Sequence, residues 1–172
     1  MTETIPYEVT GNAGEIEFRK YPALVLATVE SAGDDSGFNL LFAYISGKNA
    51  AKDSLQMTAP VITSAKIPMT APVVSDSSTM SFVMPAGKTL EEIPEPLDSK
   101  VRIVPVPERE VAVITFKGKT HDEEVKDVEA RLIKGLRDAG LEAAGEVFLM
   151  RYNPPWIPGF LRHNEVGVEV RR

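Results

Sequence analysis

Apolar and charged residues alternate from Glu15 to Lys20, with Ile16 and Phe18 as the apolar partners, which is the period-two pattern of a half-buried strand. Tyr21-Pro22 breaks it, and Leu24 to Val29 continues as an apolar, partly β-branched strand. Phe38, Leu41, Phe42 and Ile45 recur at i, i+3, i+4 and i+7, predicting a first helix with those side chains on one face. Gly47 and Asn49 supply its stop. Strands are expected near Val61–Thr63 and Met80–Met84, then a proline-rich connector from Pro85 to Pro96. The second half repeats the rhythm: a strand over Val101–Val106, a break at Pro107 and a strand over Val111–Phe116. A second helix follows from about Asp122 to Ala139, with Val125, Val128, Leu132, Leu136 and Ala139 as its stripe and Gly140 as its stop. Strands at Val147–Tyr152 and Glu165–Val170 close the chain, and the polar first 14 residues read as a lead-in tethered by Tyr7 and Val9.

Sliding the chain on itself by 87 residues superimposes these elements. Ile16 meets Ile103, Leu24 meets Val111, Thr28 meets Thr115, Leu41 meets Val128 and Ile45 meets Leu132. Identity is low, so what repeats is pattern. The expectation is an α+β fold in one domain: two β-β-α-β-β halves, about 15–85 and 101–172, joined by the connector 85–100. Such halves form a pseudo-two-fold, distorted antiparallel sheet or barrel with two main helices. The same shift lays the connection 64–75 on 151–162 and puts Met69 on Trp156. Large apolar residues among prolines are unusual in connections, so these two loops and a groove between the halves are where a ligand is expected.

Composition narrows the function. The chain has 172 residues, 43% hydrophobic and 26% charged, the balance of a globular protein. A net charge of −6 and a pI near 5.0 argue against a nucleic-acid partner and against an electrostatic membrane anchor. Cysteine is absent, which excludes disulfides, thiolate catalysis and Cys-based metal sites. No secretory leader is visible and no run reaches the roughly 20 apolar residues of a membrane helix. A cytoplasmic protein, monomeric or weakly oligomeric, is the expectation.

Two copies of one tetrapeptide, Met57-Thr58-Ala59-Pro60 and Met69-Thr70-Ala71-Pro72, are each followed by Val. Together with the preceding Tyr44-Ile45-Ser46-Gly47-Lys48-Asn49, they resemble the SOUL family, also called haem-binding proteins. Tyr7-Glu8-Val9 and Ile16-Glu17-Phe18-Arg19-Lys20-Tyr21-Pro22 resemble that family's opening. Ser81-Phe82-Val83-Met84-Pro85 and Ile93-Pro94-Glu95-Pro96 resemble its middle. Tyr152-Asn153-Pro154-Pro155-Trp156 and Phe160-Leu161-Arg162-His163-Asn164-Glu165-Val166 resemble its ending, where His163 stands in place of a second arginine. The resemblance spans nearly the whole chain. It implies a duplicated α+β fold akin to the effector-binding domains of AraC-type regulators, and tetrapyrrole binding in a hydrophobic pocket, in some members without a fixed axial ligand.

No nucleophile elbow, phosphate loop or dinucleotide fingerprint is present, and His121 and His163 lie 42 residues apart. The expectation is therefore a non-catalytic carrier or buffer for haem or a porphyrin. Alternatives are a sensor or scavenger of other flat hydrophobic molecules and an enzyme acting on a tetrapyrrole. Haem needs an apolar slot, partners for its propionates and, optionally, an axial ligand. Candidate ligand-binding residues are Leu41, Tyr44, Ile45, Lys48, Met57, Met69, Trp156, Phe160, Arg162 and His163. The competing reading of the Met and aromatic set is core packing. Propionate partners come from Lys48, Lys52, Arg151 and Arg162, and His163 is the candidate iron ligand, with Met57, Met69, Tyr44 and Lys48 as alternatives.

Overall fold

The computed structural model describes residues 3–31, 35–51, 54–55, 58–65, 78–85, 89–118, 122–152, 158 and 161–171. In chain order the elements are β1 (Glu3–Thr4), β2 (Glu8–Ala13), β3 (Ile16–Tyr21), β4 (Leu24–Ser31), α1 (Asp35–Ile45), β5 (Thr58–Ala65) and β6 (Ser78–Val83). A 3-10 turn (Leu90–Glu92) precedes β7 (Arg102–Val106), β8 (Arg109–Lys117), α2 (Asp122–Asp138), β9 (Glu142–Ala143), β10 (Phe148–Arg151) and β11 (His163–Arg171). The fold is α+β, and its antiparallel strands collect in two compact units, each carrying one helix. The first unit is Met1–Ile5 with Ala23–Pro107; the second is Pro6–Pro22 with Glu108–Arg172.

In the first unit the order is β7-β4-β6-β5, antiparallel throughout, with the short β1 added in parallel to β5. In the second it is β2-β3-β8-β11-β10, with β9 on the far end of β11. The runs β7-β4-β6-β5 and β3-β8-β11-β10 have the same topology. Each unit takes its leading strand from the other half of the sequence, since β3 joins the sheet of the second unit and β7 that of the first.

Both helices cover one face of their own sheet. α2 lays Val128, Leu132 and Leu136 on Ile16, Phe18, Ala112, Ile114, Val166 and Val168. It can come that close because Gly135 faces β3; a Cβ there would lie 2.5 Å from Ile16 Cδ1. The helix ends as expected: Gly140 takes φ 74° and the Leu141 amide donates to the Leu136 carbonyl.

α1 differs from the expected stripe. Leu41, Tyr44 and Ile45 are the buried residues, at 0, 1 and 4% exposure, and they pack on Ala27, Val29, Phe82 and Met84. Phe38 and Phe42 sit at 38 and 53% exposure, stacked on each other with centroids 6.1 Å apart. The buried stripe is rotated because Tyr44 behaves as an apolar ring whose hydroxyl is satisfied by the Pro94 carbonyl. Asn49, fully buried, donates to the Tyr44 carbonyl at 2.9 Å, which also accepts from the Gly47 amide at 3.3 Å, so the helix end is satisfied. The lead-in expected before Glu15 is also revised: residues 8–13 form β2, hydrogen-bonded to β3, an edge strand that is mostly exposed and so lacks an apolar alternation.

Candidate functional site

Strand alternation sorts the second unit's sheet into two faces. Phe18, Ala112, Ile114 and Val166 face α2. The intervening residues, among them Arg19, Thr115 and Glu165, share the opposite face. There the chain buries a charge: Glu165 is 1% and Arg19 3% exposed. Arg19 Nη1 donates to Glu165 Oε1 at 2.8 Å and Nη2 to Oε2 at 2.6 Å, a bidentate fork. The Tyr152 hydroxyl donates to Oε1 at 2.6 Å, Thr115 Oγ1 to Oε2 at 3.2 Å, and His163 Nε2 to Oε2 at 3.1 Å. An ionised carboxylate only accepts, so this contact assigns the ring proton of His163 to Nε2.

Arg19 is equally well satisfied. Its Nε donates to Glu17 at 2.6 Å and Nη1 also donates to the Tyr21 hydroxyl at 2.9 Å, which in turn points at the Met150 sulfur. The Tyr7 ring lies 4.1 Å from the guanidinium carbon. The electrostatics follow from this arrangement. Burial opposes the charge of Glu165, but the hydrogen bonds of Arg19, Tyr152 and His163 outweigh it and hold the carboxyl below its usual range. Burial likewise opposes the charge of Arg19, and Glu165, Tyr21 and Glu17 together more than compensate. Burial pushes the Tyr21 phenol up to about 12 and, with Tyr21 and Glu165 nearby, raises Tyr152 much further, so both remain neutral donors.

Of the residues expected at a ligand site, Leu41, Tyr44 and Ile45 lie inside the first unit's core. Lys48 is exposed and Arg162 half-buried. His163 keeps 45% of its side chain accessible, with its ring edge-on to Tyr152 at 4.7 Å and Nε2 held by Glu165. Met57, Met69, Trp156 and Phe160 lie outside the described residues, as do Lys52 and His121. Arg151, at the end of β10, is half-buried with its Nε sealed from solvent and without an acceptor. Among the described residues no group of three His, Asp or Glu side chains could hold a metal ion, and no helix is long and apolar enough to cross a membrane.

The Arg19–Glu165 cluster is absent from the sequence expectations, although both residues stand in quoted motifs. A charged residue alternating with apolar ones reads as solvent-facing, and that holds only when one face of the sheet is wet. The available signal was Glu165 among apolar neighbours, two positions from His163 and on the same face of a long strand.

Two antiparallel units of equal topology, each carrying one helix, define an α+β protein. A hydrolase from Listeria innocua superimposes with a TM-score of 0.66 over 94% of both chains at 14% identity. The EcmrR C-terminal domain gives 0.65 over 96% of this chain and 98% of its own, also at 14% identity. These likenesses are of fold alone. The sequence profile of the SOUL heme-binding protein family matches residues 2–169, and the chain belongs to that family. It is 33% identical to human Heme-binding protein 2 over 168 residues, covering 94% of this chain and 80% of the relative. The mouse Heme-binding protein 2 is 31% identical over 181 residues, covering 95% and 86%.

Proposed function

We propose that this protein binds haem or a related porphyrin in an apolar site and carries or buffers it in the cytoplasm without a catalytic step. Membership of the SOUL heme-binding protein family over residues 2–169 carries this reading. The chain's own chemistry is compatible with such a cargo: a large flat ring needs apolar cover and a cation for its carboxylates. Among the described residues, the exposed Phe38–Phe42 stack of the first unit offers apolar cover. The Arg19–Glu165 cluster is read as a lock of the fold. Its carboxylate already receives five hydrogen bonds and a full positive charge, which leaves little to offer a cationic ligand. His163 belongs to that lock through Nε2, and haem is held chiefly by burial of its ring.

Titration with ferric haem, followed by the Soret band and by quenching of Trp156, the single tryptophan, tests the reading. Saturation at one haem per chain is expected, with iron-free protoporphyrin quenching similarly and with His163→Ala leaving the Soret maximum in place. A non-saturating response equal to that of haem in buffer would remove the haem assignment, and turnover of the ligand would replace a carrier with an enzyme.

A further inference from the structure

Arg151 pairs in register with Asn164 on β11, and Asn164 with Phe116 on β8. Two positions earlier, Leu149, Val166 and Ile114 form the row that packs beneath α2. Alternation therefore sets Arg151 on the helix-bearing face, away from the Arg19–Glu165 lock. Among the described residues it has no ion-pair or hydrogen-bond partner, its Nε is sealed without an acceptor, and burial alone lowers its affinity for the proton. The contrast within the same sheet is informative. Arg19 is forked on a carboxylate, and Arg109, whose Nε also lacks an acceptor, reaches Glu169 at 3.7 Å and the Phe148 ring at 5.0 Å.

A half-buried guanidinium whose Nε is sealed without an acceptor opposes folding, because among the described residues no partner returns the desolvation of its charge. A planar fork of N–H donors matches a carboxylate or a phosphate, and a tetrapyrrole such as haem carries carboxylates. We propose that Arg151 is the receptor for a carboxylate of the bound ligand, a propionate in the case of haem. This rests on the reading of the chain as a tetrapyrrole binder and adds to it the group that orients the ring.

The test crosses two proteins with two ligands: wild type and Arg151→Met, each titrated with ferric haem and with its dimethyl ester. Wild type should prefer the diacid by roughly tenfold or more, as a charge-assisted bidentate pair provides. Arg151→Met should lose that preference while binding the ester as wild type does. Its ligand-free form should melt no lower than wild type, since an uncompensated charge has been removed. Equal preference for the diacid in both proteins would overturn the inference and leave haem binding intact. A lower melting temperature with unchanged ligand preference would make Arg151 a structural residue and overturn it as well. Failure of wild type to bind either porphyrin would instead overturn the tetrapyrrole reading, and this inference with it.

Discussion

The two units solve one topological problem with different chemistry. In β4 and β6 of the first, Thr28 lies opposite Ser81, and their hydroxyls meet at 2.7 Å on the face away from α1. In β8 and β11 of the second, Thr115 lies opposite Glu165 at the corresponding step of the ladder. A neutral hydroxyl pair satisfies itself. A carboxylate in the same place requires Arg19 from β3, Tyr152 from beyond β10 and His163 from the start of β11. The first unit can therefore tolerate changes on that face, whereas the second is committed to an interlocking set in which each member is costly to remove alone.

The largest effect is expected from breaking that set. Glu165→Ala leaves Arg19 buried and uncompensated and should lower unfolding free energy by about 3–5 kcal/mol in urea denaturation. Leu41→Ala and Leu132→Ala, both at 0% exposure, should each cost about 3 kcal/mol, and equal costs would show that the helix-covered cores are equivalent. Acid sharpens the contrast. The folded carboxyl of Glu165 is held below its unfolded range, so its contribution is complete above the ordinary glutamate pKa of about 4.3 and is lost as pH falls through the folded value. Stability of Glu165→Gln, followed by urea midpoints between neutral and acidic pH, should lack that part of the slope. The smallest effect belongs to the first unit: Thr28→Val leaves one hydroxyl without its partner and should cost about 1 kcal/mol, and adding Ser81→Ala should recover part of it.

Periodicity carried most of the architecture. The strand expected from Glu15 to Lys20 is β3, Val111–Phe116 lies within β8, Glu165–Val170 within β11, and the second helix begins at Asp122 as read. On the helix-covered face these segments set their apolar positions over one core, and there pattern and burial agree. Pattern failed where burial and polarity part company. Tyr44 is inside α1's packing because its ring, and not its hydroxyl, decides its place. β2 was hidden because an edge strand with most side chains in water has no reason to alternate. Leu41, Tyr44 and Ile45 of α1 lie in the first unit's core, and Arg19 and Glu165 have the pattern of surface charges because the two partners are 146 residues apart. Pairing over such distances depends on which strands become neighbours, and a local pattern carries no information about that.

The most direct test is haem affinity of the double variant Arg19→Met/Glu165→Leu, with urea unfolding run beside it. Replacing both members of a buried pair by apolar groups is often neutral or stabilising. If the cluster is a lock of the second unit and the ligand is held elsewhere, the variant folds cooperatively and its haem titration overlays that of wild type. A folded variant that no longer takes up haem would contradict the account and place the ligand on the Arg19–Glu165 face.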